Sequence, residues 1–118
     1  MEKTVRETIK EIIRGHLKKN KGQVFGQCLT AVGWVGGTIP ELYEKDGMIE
    51  LPMSDVSNGG IVVGAGLMNK KPIYVIRYQG FNWYNCPIII NYACKSKELW
   101  KIPCPIFIRG IGMEGGIG

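Results

Sequence analysis

Residues 48–76 read MIELPMSDVSNGGIVVGAGLMNKKPIYVI, and the fold turns on how they are parsed. Residues 48–51 make a short apolar strand that Pro52 closes. Ser54 or Ser57 can then cap a helix running to about Met68, and Asn69 can end it. Pro72–Ile76 is a compact apolar run of the kind found in strands covered on both faces. Strand, helix, strand is the grammar of a parallel sheet, because antiparallel neighbours need only a short hairpin.

The same alternation extends both ways. Upstream, Thr4 and Glu7 have capping-box spacing, and Val5, Ile9, Ile12, Ile13 and Leu17 recur at helical intervals as one apolar face. Residues 23–26, QVFG, read as a short strand, and residues 29–38, LTAVGWVGGT, as a glycine-rich loop. Thr38 and Glu41 form a second capping box with Pro40 in the first turn, opening a short helix that stops near Asp46-Gly47. Downstream, residues 85–97 read as a long helix capped by Asn85, with Pro87 confined to its first turn. Residues 105–108 form a last strand before RGIGMEGGIG. The expected fold is α/β, a three-layer sandwich with a mainly parallel sheet between helices. Ligands in such sheets bind at the carboxyl ends of the strands, so Asp55, Phe81 and the RGIGMEGG loop should meet at one edge.

At 118 residues the chain has the size of one domain with a modest core, and its 45% hydrophobic and 21% charged residues suit a globular protein. Its ending, in a bare glycine-rich loop, reads as a single domain 1–118 that is incomplete at its C-terminal end. No apolar run reaches the roughly 18 residues a membrane helix needs, and the N-terminus has no apolar signal core, so a cytoplasmic location is expected. The net charge is +5, but the densest basic run, HLKKNKG at residues 16–22, ends a helix whose dipole favours cations there. Neither nucleic acid nor membrane is expected as a partner.

Cys28, Cys86, Cys94 and Cys104 include no C-x-x-C pair, and the single histidine, His16, stands at no ligand spacing from them. No metal site is expected; the cysteines read as buried free thiols and His16 as a surface residue. Gly60, Gly64 and Gly66 are spaced G-x-x-x-G-x-G inside a helix, which is not a dinucleotide fingerprint. Gly60 and Gly64 share a helical face and are expected to admit a neighbouring helix.

Several segments in register resemble one family. PMSDVSNGGIVVG, residues 52–64, is similar to the P-I-S-E-x-x-x-x-G-I-x-x-G segment of thiamine-diphosphate enzymes, with the likeness strongest for the pyrimidine-binding domain of pyruvate dehydrogenase beta subunits and transketolase relatives. Pro72 opens the next strand as in that family, Phe81 matches its aromatic residue, and Asn91, Ala93 and Lys95 match its N-x-A-x-K helix. Residues 105–110, PIFIRG, are similar to its P-x-x-x-R-G strand end, and Val24-Phe25-Gly26-Gln27 to its V-x-G-E turn.

The resemblance implies a cofactor, thiamine diphosphate, and roles for named residues. Asp55 would hydrogen-bond a pyrimidine ring nitrogen and so promote formation of the thiazolium ylid, with burial lifting its pKa against the helix dipole. Phe81 would stack on the pyrimidine, Met53 would line the same pocket, and Gln27 would lie beside it. The family usually has glutamate at position 55 and an acid at position 27; aspartate shortens the reach by about 1.5 Å, one carbon–carbon bond. The family's diphosphate and Mg²⁺ site, a G-D-G motif, has no counterpart, since Asp46 and Asp55 are the only aspartates. The resemblance therefore implies a diphosphate-binding, alpha-type partner subunit that brings Mg²⁺, within a homo- or hetero-oligomer. Residues 86–94, CPIIINYAC, suit either that contact or a plain sheet-covering helix. Two alternatives stay open: an assembly module that keeps the fold without its chemistry, and an unrelated small α/β ligand binder.

Overall fold

The structure, a computed structural model, describes residues 2–77 and 82–112, with Asn82 and Trp83 described through their backbone alone. Helix α1 (Val5–Lys18) starts at the expected capping box: Thr4 Oγ1 accepts from the Glu7 amide, and Glu7 Oε2 accepts from the Thr4 amide. Ile13 and Leu17 of its apolar face are buried and Ile9 is partly so, whereas Val5 and Ile12 stay exposed. Strand β1 (Gln23–Gly26) follows, then α2 (Ala31–Gly37), a short 3₁₀ turn at Glu44–Asp46, and β2 (Met48–Glu50). Helix α3 (Asp55–Leu67) leads into β3 (Pro72–Ile76). Helix α4 (Asn82–Ile88), a π-helical stretch (Ile89–Ala93), α5 (Ser96–Trp100) and β4 (Phe107–Gly110) complete the order.

Among the described residues, four strands form one parallel sheet in the order β2-β1-β3-β4. Alternation along the strands separates two cores, as a sheet covered on both faces requires. Val24, Met48, Ile73 and Val75 face α1 with Ile13, Leu17, Leu29 and Ile39. Phe25, Tyr74 and Ile76 face α3 with Val62. The α/β sandwich expected from residues 48–76 is the architecture found. The central strand β3 is buried along its whole length, while edge strand β4 exposes Phe107 and Ile108.

Three elements differ from the sequence reading. The stretch expected as a loop at residues 29–38 contains a left-handed turn: Val32, Gly33, Trp34, Val35 and Gly36 all have φ between 52° and 64°. The second capping box does not form. Thr38 ends this turn, its hydroxyl donates to the Val35 carbonyl, and only Glu44–Asp46 is helical. Ile39 and Pro40 are instead buried in the core, and a residue before proline is disfavoured in the helical region. The helix expected at 85–97 begins at Asn82 and places Pro87 in its interior. Proline has no N–H for the ladder and its ring crowds the carbonyl four residues back, and the chain widens into a π turn immediately afterwards. Asn85 is thus an interior residue rather than a cap.

The end of α3 follows expectation. Asn69 takes φ +56°, and the Lys70 and Asn69 amides donate to the Ala65 and Gly66 carbonyls in a Schellman pattern. The close approaches lie elsewhere than expected. A Cβ at Gly60 or Gly64 would meet nothing within 4 Å among the described residues, whereas one at Gly59 would stand 2.4 Å from Asn85 Oδ1. One at Gly66 would lie 2.8 Å from Cys104 Sγ. The cysteines are not buried: Cys28 and Cys94 are exposed, and Cys86 and Cys104 are half-buried. His16 is more than a surface residue, since its Nε2 lies 2.7 Å from the Lys71 carbonyl and ties α1 to the approach of β3. No helix among the described residues is long and apolar enough to cross a membrane.

Candidate functional site

The chain runs from β1 outward to β2, returns past β1 to β3, and continues to β4. The order therefore reverses between β1 and β3, and the loops leaving their carboxyl ends part there, opening a crevice. Gln27 follows β1, Arg77 follows β3, and Asp55 enters from the first residue of α3. These three line one small cleft, with Tyr74, Val75 and Ile76 of β3 as its floor.

Local chemistry explains how Asp55 gets there. Pro52 ends the run from β2, and the buried Asn58 reaches back from the first turn of α3 to donate from Nδ2 to the Pro52 carbonyl at 2.9 Å. The Ser57 and Asn58 amides donate to the Ser54 carbonyl, which sets Ser54 at the cap position although its side chain makes no capping bond. Asp55 follows at the positive end of the helix dipole, a favourable place for an anion. Its carboxylate is half-buried, and Oδ1 accepts from Gln27 Nε2 at 2.9 Å. No other hydrogen bond reaches this carboxylate among the described residues.

Beneath it, Tyr74 is buried and its hydroxyl donates to Asn85 Oδ1 at 3.2 Å. Burial, with the nearby Asp55 carboxylate as second cause, pushes the Tyr74 phenol up to about 12, so it is a neutral donor at any ordinary pH. Arg77 Nη1 donates to the Cys28 carbonyl and closes one side. On the other face of the sheet, Arg109 Nη2 donates to Thr38 Oγ1, while its Nη1 is buried without a partner among the described residues and burial depresses its pKa. Among the described residues no three His, Cys, Asp or Glu side chains come together.

Of the residues expected in the site, the fold brings Asp55 and Gln27 into direct contact. Met53 is 87% exposed and stands outside the cleft lining. Phe81 lies outside the described residues, as do residues 113–118 of the final loop; Arg109, at that loop's start, is directed to Thr38 rather than to Asp55. Tyr74, Arg77 and Asn85 were not anticipated. A signal for Tyr74 existed: a tyrosine inside an aliphatic strand needs a partner for its hydroxyl, and a buried strand next to a ligand edge is where it finds one.

Chemically, the cleft offers one oriented carboxylate, a carboxamide, a buried phenol and an apolar floor. It has room for no more than about one water molecule, so any larger ligand would use it as one wall of a wider site. No family model matches the chain. It is similar to the pyruvate dehydrogenase E1 component subunit beta of Mycoplasma pneumoniae, with 30% identity over 77 residues, or 64% of this chain. The matched stretch covers 23% of that relative's length.

Proposed function

We propose that residues 1–118 act as one pyrimidine-binding domain of a thiamine-diphosphate enzyme related to the pyruvate dehydrogenase beta subunit. The observation that carries this reading is the Asp55 carboxylate, held by Gln27 at the switch point of a parallel sheet. The similarity to a pyruvate dehydrogenase beta subunit supports it. The residues present fit the pyrimidine end of the cofactor. Asp55 would accept from a ring N–H, and Val75 and Ile76 give an apolar floor. They do not supply the diphosphate end, which is assigned to an alpha-type partner carrying the Mg²⁺ site.

When bound, thiamine diphosphate supplies a nucleophilic carbon for attack on a 2-oxo acid or ketose. This chain's part is to hold a proton at the pyrimidine nitrogen through Asp55, which promotes activation of that carbon. Met53, which is exposed, is assigned to the side of the cleft that the partner completes, and Phe81 keeps the stacking role that the resemblance implies. The shorter reach of aspartate would require the Pro52–Asp55 backbone to stand closer to the ring; Asn58 holds that backbone through the Pro52 carbonyl.

The test is calorimetric titration of Mg²⁺ and thiamine diphosphate into the chain mixed with its diphosphate-binding partner. Saturable binding by the mixture, and not by either chain alone, is the expected result. No binding by the mixture overturns the reading. The fold-only assembly module is favoured by aspartate and glutamine standing at positions 55 and 27, where the family usually has glutamate and an acid, and by the missing G-D-G motif. Asp55→Glu separates the two readings, since a large gain in turnover would mark the native site as decayed.

A further inference from the structure

The bond between Gln27 and Asp55 joins residues 28 apart in sequence, delivered by different crossovers. It is therefore a product of the sheet order, not of local chain geometry. A free aspartate at a helix start samples several rotamers; tying Oδ1 to the Gln27 amide selects one and leaves Oδ2 without a partner among the described residues, open to accept from a bound molecule. A carboxamide also takes up no proton near neutral pH. Were position 27 an acid, two carboxyl groups at this separation would share a proton, and one would ionise late.

We propose that Gln27 is the positioning residue of the site: its neutral carboxamide holds Asp55 in one orientation and adds no second carboxyl group to a cleft whose other ionisable side chains are Tyr74 and Arg77. The role in a reaction rests on the function proposed above, but the test does not, because it needs neither cofactor nor partner.

In the full 118-residue chain, the Asp55 carboxyl carbon and the Gln27 side-chain amide are followed by NMR across pH. The Gln27 amide signals should move in a single step that coincides with the Asp55 titration, and Asp55→Asn should abolish that step. Gln27→Glu should convert the single step into two, the upper displaced by about one unit or more above the wild-type value, as coupled carboxyl groups require. Gln27 signals that ignore the Asp55 titration, or that keep their step in Asp55→Asn, overturn the proposal. So does a Gln27→Glu variant whose two acids titrate independently. Should Gln27→Glu fail to fold, the comparison of wild type with Asp55→Asn decides alone. Loss of thiamine-diphosphate binding would refute the functional reading and leave these curves unchanged.

Discussion

Gly59 sets how closely α3 and α4 can lie, because its missing side chain makes room for the Asn85 carboxamide that receives the Tyr74 hydroxyl. A methyl group there would stand 2.4 Å from Asn85 Oδ1 and 2.7 Å from Ile88 Cγ2. Gly59→Ala should destabilise the chain by about 1–3 kcal/mol, the usual cost of overpacking. Gly60→Ala, with nothing within 4 Å of its Cβ position among the described residues, should stabilise α3 by about 0.5–1 kcal/mol through helix propensity. Urea unfolding of the two variants checks both; equal effects would contradict the packing described. The sequence showed glycines in a helix but not which of them faced a neighbour, because that depends on the rotation of α3, fixed only when Val62 meets the sheet.

At the scale of elements, the left-handed turn is the costly feature. Val32, Trp34 and Val35 sit where side chains crowd the following carbonyl, at roughly 1–2 kcal/mol each. Val32 is exposed and contributes little packing. Val32→Gly should therefore raise the thermal midpoint by a few degrees, while Gly33→Ala, at φ +61°, should lower it. Calorimetry distinguishes the two. The strands and α3 were legible in the sequence because short apolar runs, Pro52 and Asn69 act locally. The left-handed turn, the π stretch and the missing helix after Pro40 were not, because burial of Ile39 and accommodation of Pro87 are tertiary effects that override local signals. At the site, Asp55 was legible from its motif, while its partnership with Gln27 required knowing that β1 and β3 flank the switch point.

For the molecule as a whole, stability should depend on pH at both ends. Tyr74 has its phenol raised to about 12 in the folded chain, against about 10 when unfolded, so folding favours the protonated form. Stability present below about pH 10 should fall as pH rises toward 12, and Tyr74→Phe should flatten that fall. On the acid side, the Thr4 amide and hydroxyl hold Glu7 below its usual 4.5, and Lys18 holds Asp46 below its usual 3.8. Their contribution is present above those values and is lost as pH drops further. Denaturant midpoints measured across pH test both slopes.

In the proposed function, Asp55 faces the cofactor's pyrimidine ring in a site shared between chains. The most direct test is kcat of the assembled enzyme carrying Asp55→Ala, measured at saturating thiamine diphosphate and Mg²⁺. The account predicts a fall of at least about 100-fold, the scale of a lost acid–base group. Turnover equal to that of the wild type would contradict it.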